Sequence, residues 1–349
     1  MSDYKKNKSM LGIVYDYEKS NDTIKLQSLA IPTLSEGEVL VNLKAAALNR
    51  RDYYIINRAP FTKKWSPFVP GGDGAGIVIE ISDGVQGLTV GDEVIINPFL
   101  FCGECHYCKE GKHALCFVDE DLGGPRNGTF AEYIAIPAKN LIKKPEHLTF
   151  EEAAALPLAL GTAWRVISQA KLSKGETVLI QGIGSGVATF MLQIAVILGA
   201  KVIVTSSSNS KIMNALEVGA FAGINYNEEN VFEKVMKLTH GIGVDLALDS
   251  SGKASFKQSV DSLKKGGRIV AFGTTTGLME INFVDLIMKQ ASVITSNMFG
   301  KKELEDAINF YRTHQLRPVI SEVYPIKNIH QAFEQMKTHS QFGKLVIKI

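Results

Sequence analysis

Apolar runs and helical stretches alternate through the second half of this chain, and that alternation restricts the fold more than any other feature. Thr177-Val178-Leu179-Ile180 and Lys201-Val202-Ile203-Val204-Thr205 read as buried strands, and Val244 to Asp249 and Arg268 to Phe272 as two more. Strands of this kind, spaced by helices, belong to a parallel sheet covered on both faces. The helix expected from Val187 to Leu198 is apolar on nearly all sides, and Gly199 is placed to stop it.

Between the first of these strands and that helix lies Gln181-Gly182-Ile183-Gly184-Ser185-Gly186-Val187-Ala188. Glycines here let the backbone turn tightly and approach a pyrophosphate, while the helix amino terminus supplies free N–H groups and a positive dipole end. The spacing departs from G-x-G-x-x-G, because Val187 stands where the third glycine would fall. The alternative is a bare structural turn. The acidic residue expected about 20 positions later, to hold a ribose 2′-hydroxyl, is absent. Thr205-Ser206-Ser207-Ser208-Asn209-Ser210-Lys211 stands there instead. Hydroxyls with a lysine suit a 2′-phosphate, and hence NADPH. The bland reading is a polar loop in which Ser208 or Ser210 caps the next helix.

The first half reads differently. Val39 to Leu43, Gly74 to Glu80, Gly91 to Ile96 and Phe130 to Ala135 are short strands punctuated by Gly and Pro, the pattern of a barrel-like β unit. All four cysteines of the chain fall within it, at Cys102, Cys105, Cys108 and Cys116. Four thiolates spaced C-x2-C-x2-C-x7-C suit one tetrahedral Zn²⁺, and a closed Cys₄ site leaves no position open to substrate, so its role is structural. An iron–sulfur cluster is the alternative; the long fourth spacing and β-rich surroundings disfavour it. His106 and His113 lie in the same loop and are read as surface residues.

Composition sets the outer bounds. At 349 residues the length corresponds to about two domains. With 38 Lys and Arg against 36 Asp and Glu, no general field draws nucleic acid or an anionic membrane. The segment from Met1 to Met10 is polar and lysine-rich, unlike a secretory signal. No apolar run approaches the roughly 18 residues of a spanning helix. The expected location is cytoplasmic, where thiols stay reduced and clustered cysteines hold metal or do chemistry.

A Cys₄ lobe ahead of a glycine-rich turn, after a β-rich start, resembles the medium-chain dehydrogenase/reductase superfamily over essentially the whole chain. Gly71-Gly72-Asp73-Gly74-Ala75-Gly76, Gly128 to Tyr133, Asp249-Ser250-Ser251-Gly252 and Gly266-Gly267-Arg268 extend the likeness. The resemblance implies an α/β fold. A GroES-like β-barrel catalytic domain would comprise residues 1–158 and 300–349, with the zinc lobe at about 98–120. A Rossmann doubly wound parallel sheet would be inserted at 159–299. It also implies a homo-oligomer, dimer or tetramer. Zinc alcohol dehydrogenases of this family bind a catalytic metal through Cys, His and Cys. By motif matching those places hold Asn49, Gly72 and Leu158 here, so the catalytic zinc is read as absent. What remains looks like the quinone oxidoreductase branch, although many of its members lack the Cys₄ lobe.

The same matching implies roles. Asn49 and Thr162 would face nicotinamide and substrate as catalytic residues. Gly182, Gly184, Ser185, Gly186, Val187 and Ala188 would hold the pyrophosphate. Ser206, Ser207, Lys211 and Tyr226 would take the adenosine 2′-phosphate end. Ser250, Phe272, Gly273 and Thr274 would line the cofactor pocket, with Ser296 to Phe299 beside the nicotinamide. Thr162 and Tyr226 could equally be core residues, and Arg50 and Arg51 either touch an anionic substrate or form surface salt bridges. Without a Lewis acid, alcohol–aldehyde interconversion is disfavoured, whereas quinones and α,β-unsaturated carbonyls need less polarisation. The expected function is NADPH-dependent reduction of such a small electrophile. An enoyl-thioester reductase and an NADPH-binding sensor with little turnover are the alternatives.

Overall fold

The computed structural model describes residues 9–16, 24–57, 66–118, 120–273, 275–277 and 279–349. Thr274 and most of the polar amino-terminal segment lie outside them. The chain forms two compact units, Met1–Ala159 with Gly300–Ile349, and Leu160–Phe299. Among the described residues no helix is long and apolar enough to cross a membrane.

The first unit is built from β1 (Ser9–Tyr15), β2 (Ile24–Ala30), β3 (Glu38–Leu48), β4 (Asp73–Ile81), β5 (Glu93–Ile96), β6 (Phe99–Leu100), β7 (Glu120–Asp121), β8 (Tyr133–Pro137) and β9 (Leu141–Lys143). The second unit supplies β10 (Thr177–Ile180), β11 (Lys201–Ser206), β12 (Ala222–Asn225), β13 (Val244–Asp249), β14 (Leu263–Ala271) and β15 (Ser292–Thr295). The chain then returns to the first unit with helix Lys301–Thr313, β16 (Ile320–Pro325), helix Ile329–Thr338 and β17 (Lys344–Lys348).

Strand β3 is the axis of the first unit. Its apolar run, Val39 to Leu43 and Ala45 to Leu48, is buried almost throughout, as befits a strand paired on both edges. One edge pairs along its length with β4. The other is shared, first by β8 and then, beyond Asn42, by β17. The register sets Leu48 opposite Leu345 and Ala47 opposite Asp73. Asn49 follows β3, Asp73 opens β4 and Lys344 opens β17, so three polar residues from distant parts of the chain meet at one end of the sheet. Helix Lys301–Thr313 is amphipathic and fully buries Leu304, Ala307, Ile308 and Tyr311.

Two expected strands are shorter than read. The one from Phe130 begins only at Tyr133, because the backbone of Phe130 and Glu132 bonds instead to Ile13 and Leu11 of β1. The one from Gly91 begins at Glu93: Gly91 has φ +98° and Asp92 accepts from the Thr89 N–H, which closes a turn. Gly71, just ahead of Asp73 in the chain, packs closely with Gly123 and Gly128. A Cβ on Gly128 would lie 1.9 Å from the Gly71 carbonyl oxygen, and one on Gly123 would lie 2.6 Å from the Gly71 nitrogen.

The second unit is wholly parallel, ordered β12-β11-β10-β13-β14-β15. Leu179, Ile203, Ala247 and Ile269 are completely buried at its centre. Strand order reverses between β10 and β13, the position at which open α/β sheets bind ligands beyond their strand ends. The glycine-rich turn follows β10 at that point.

Candidate functional site

The turn has the shape its sequence requires. Gly182 and Gly184 take φ of +73° and +134°, open to glycine and strained for other residues, and helix Gly186–Ile197 starts directly after them. The Ser185 hydroxyl caps that helix by accepting from the Ala188 N–H at 3.2 Å. Val187, at the missing third glycine, is half-buried in the first turn of the helix.

Beneath the turn runs a buried polar chain that composition and spacing do not reveal. The Gly182 N–H donates to Thr205 Oγ1 (3.0 Å), whose hydroxyl donates to Gln181 Oε1 (2.8 Å). Gln181 Nε2 donates to Ser259 Oγ (3.1 Å), and Ser259 donates to Asp249 Oδ2 (2.8 Å). Asp249 also accepts from Ser255 and from the N–H groups of Ser251 and Gly252. A fully satisfied network of this kind rigidifies what it holds. It ties the glycine turn to the Asp249–Gly252 turn across β10, β11 and β13. Ser250 lies in the latter turn, its carbonyl accepting from Thr275, while the Phe272 N–H donates to the Asp249 carbonyl.

The serine segment divides its labour. Ser206 is buried, its hydroxyl accepting from the Ser208 N–H, and Ser208 accepts from Lys211 N to cap helix Asn209–Val218. Capping by Ser208 is thus real. Ser207 is exposed, Tyr226 is half-exposed, and burial pulls the Lys211 ammonium below its ordinary value. A carboxylate does come near, contrary to the sequence reading. Glu228 Oε1 accepts from Asn209 Nδ2 (3.0 Å) and Asn225 Nδ2 (2.9 Å), reaching this loop from the turn after β12. Thr162 lies half-buried on helix Pro157–Ala170.

The four cysteine sulfurs lie within 4.8 Å of one another. Sulfur–sulfur separations of 3.6, 3.8 and 4.0 Å match the edge of about 3.8 Å that four Zn–S bonds of about 2.3 Å give a tetrahedron. N–H groups of Glu104 and Cys105 donate to Cys102 Sγ and push its thiol down to about 6, whereas burial pushes Cys108 up to about 12. Among the described residues this is the one cluster of three or more such ligands. His106 sits 3.1 Å from Glu110 and His113 stacks on Phe101, so neither is drawn to the sulfurs.

Of the three positions matched above, Asn49 has its side chain engaged with Asp73 and Lys344, and Leu158 takes part through its backbone N–H. Asn49 Nδ2 donates to Asp73 Oδ2 (2.9 Å), and Lys344 Nζ donates to Asn49 Oδ1 (2.6 Å) and to Asp73 Oδ2 (2.9 Å). Asp73 Oδ1 accepts from the backbone N–H of Leu158 (2.9 Å). Gly72 contributes no side chain. Asn49, Asp73 and Lys344 are 6, 0 and 3% exposed. The sequence reading named Asn49 but passed over Asp73 as a ligand-position neighbour and missed Lys344 altogether. Arg50 meets His339 Nδ1 at 2.7 Å, and Arg51 pairs with Asp121 at 2.6 Å and donates to the Leu122 carbonyl. Both arginines are thus held by their own unit.

Asp52 completes the cluster. Its Oδ2 caps helix Arg50–Ile56 by accepting from the Asn49 N–H (2.8 Å), while Oδ1 has no hydrogen-bond partner. Burial pushes its carboxyl from 3.8 up to about 6, against the pull of Arg51 and the Asn49 N–H.

Residues 35–146 match the alcohol dehydrogenase GroES-like domain and residues 186–313 the zinc-binding dehydrogenase family. A zinc-type alcohol dehydrogenase-like protein of Schizosaccharomyces pombe is 34% identical, over 97% of this chain and 98% of that protein. A crystal structure of an NAD-dependent alcohol dehydrogenase superposes with TM-score 0.92 at 35% identity, covering 97% of this chain and all of the other. The acryloyl-coenzyme A reductase of Metallosphaera sedula is 28% identical over 90% of this chain and 93% of its own. The chain belongs to the medium-chain dehydrogenase/reductase superfamily and is an oxidoreductase with a GroES-like domain and a Rossmann-type nucleotide-binding sheet.

Two expectations follow. Purified protein should carry close to one zinc per chain, and Cys105→Ser should lower that content and expose the 102–116 segment to limited proteolysis. Carefully prepared wild-type protein without metal would contradict the assignment. Asp52 sets a pH dependence. Its raised carboxyl keeps a proton in the folded state that the unfolded chain has released, so its contribution is full below about 4 and lost as pH rises through about 6. Asp52→Asn keeps the capping acceptor and removes the charge. Its melting temperature should therefore gain on the wild type between pH 4 and 7, and a difference flat across that range would exclude Asp52 as the titrating group.

Proposed function

We propose that this oxidoreductase reduces a small electron-poor acceptor, a quinone or an α,β-unsaturated carbonyl, with NADPH and without a catalytic metal. The observation that carries this reading is that Asn49, at one of the three matched positions, is interlocked with its neighbours Asp73 and Lys344. An amide oxygen, a glycine and a leucine in place of Cys, His and Cys make a poor donor set for zinc. A substrate that is already electrophilic needs positioning more than Lewis-acid help.

The residues present suit a nicotinamide dinucleotide. The turn from Gly182 to Ala188 offers N–H groups to a pyrophosphate, and Ser207, Lys211 and Tyr226 are disposed to meet a 2′-phosphate. When bound, the dinucleotide would supply a hydride. On an enone, negative charge would then gather on the carbonyl oxygen, and water would give a proton to the α-carbon. Asn49 is the amide donor assigned to that oxygen, where a fixed donor acts most strongly as charge develops. The four cysteines, none of them in a disulfide, suit a reducing compartment such as the cytosol.

An enoyl thioester is the second reading, favoured by the likeness to an acryloyl-coenzyme A reductase. Against the preference for NADPH stand Glu228 and the likeness to an NAD-dependent enzyme. One panel tests all of this: oxidation of NADPH and NADH with quinones, enones, enoyl thioesters and, in reverse, simple alcohols. Fast reduction of an activated acceptor with NADPH, and little oxidation of ethanol, is the expected result. Lys211→Glu should erase most of the cofactor preference, since a charge-assisted phosphate contact is worth about 1.5–3 kcal/mol, roughly ten- to a hundredfold in affinity. Rapid, chelator-sensitive ethanol oxidation would overturn the metal-free reading, and cofactor binding without turnover would favour a sensor.

A further inference from the structure

The structure assigns Lys344 as a positioning residue: its buried ammonium, braced by Asp73, fixes and polarises the Asn49 amide. This rests on the reading that Asn49 faces the acceptor. The chemistry of the three groups leaves one arrangement. An ammonium only donates, so the amide must turn its oxygen to Lys344. An ionised carboxylate only accepts, so the amide must turn its nitrogen to Asp73. Asp73 in turn accepts from the ammonium through the same Oδ2 and from Leu158 N through Oδ1. One N–H of the Asn49 amide is then left to donate elsewhere, in a fixed direction. A positive charge on the amide oxygen draws electron density from the nitrogen and makes that N–H a stronger donor.

Fold stability alone is a weak reason for such a pair. Removing an ammonium and a carboxylate from water costs about as much as their attraction returns, and well-packed apolar residues often serve as well. Lys344 also stands at the start of β17, where its neighbours Leu345, Val346 and Ile347 are the apolar residues of a buried strand. The charge is therefore placed where the sheet brings it against Asn49. Positive potential at the reacting end of the unit is thus supplied by a side chain.

Kinetics and spectroscopy test this together. Lys344→Met should lower kcat with the best acceptor by about ten- to a hundredfold, the worth of a charge-assisted hydrogen bond, with the NADPH dissociation constant unchanged. Because Lys344 acts through Asn49, Lys344→Met combined with Asn49→Ala should be no slower than Asn49→Ala alone. Losses that multiply, or a wild-type kcat in Lys344→Met, would overturn the assignment. If Lys344→Met does not fold, Lys344→Met with Asp73→Asn removes both buried charges and is read the same way. The Asn49 side-chain amide in asparagine-labelled protein gives a readout independent of turnover. Its two N–H resonances should be well separated and slow to exchange in the wild type, and should lose both properties in Lys344→Met. If the wild type reduces no acceptor, the proposed function fails and the amide resonances alone decide the role of Lys344; resonances unchanged by Lys344→Met would refute it.

Discussion

The register of β3 against its partners decides what the first unit can do. Pairing of Ala47 with Asp73 and of Leu48 with Leu345 brings the first residues of β4 and β17 beside the residue that follows β3. A slip of one residue in either ladder would turn Asp73 or Lys344 to the other face of the sheet. Lys344 would then be a buried cation without its carboxylate, and Asn49 would lose the partners on both ends of its amide. The apolar alternation that locks β3, β4 and β17 into one core is therefore also what assembles the polar cluster. Fold and site share a single constraint.

That cluster sets a buried cation, Lys344, between an amide and a carboxylate in a chain similar to alcohol dehydrogenases. The charge is fixed, hydrogen-bonded to two acceptors and only 3% exposed. Such a device polarises less strongly than a doubly charged ion. The cysteine lobe stands apart from this cluster. Its four sulfurs surround one point and leave no position for a reactant.

Local features of the sequence were the legible ones. The cysteine spacing spans fifteen residues and its geometry is set within one loop, so the clustering of the four sulfurs could be read directly. Gly182 and Gly184 announced their positive φ because few other residues tolerate it. Both-faces-buried strands announced a parallel sheet because their apolar runs are unbroken. Contacts between distant segments left no such trace. Lys344 lies 295 positions from Asn49, and nothing in the run Gly343-Lys344-Leu345 separates a buried lysine from a solvated one. The chain from Gly182 to Asp249 links residues whose polarity looked like ordinary strand-end chemistry, and Glu228 entered the serine loop from a turn that the missing-acid argument did not scan. Register and side-chain direction carry that information.

The most direct test of the account is anomalous diffraction at a metal edge from crystals of the wild-type protein soaked in excess Zn²⁺ or Co²⁺. The account predicts a single strong site, at the centre of Cys102, Cys105, Cys108 and Cys116, and none within about 2.3 Å of Asn49 Oδ1 or the Asp73 carboxylate. A second ion seated on Asn49 and Asp73, with the Lys344 ammonium displaced, would contradict it and return the chain to metal-dependent chemistry.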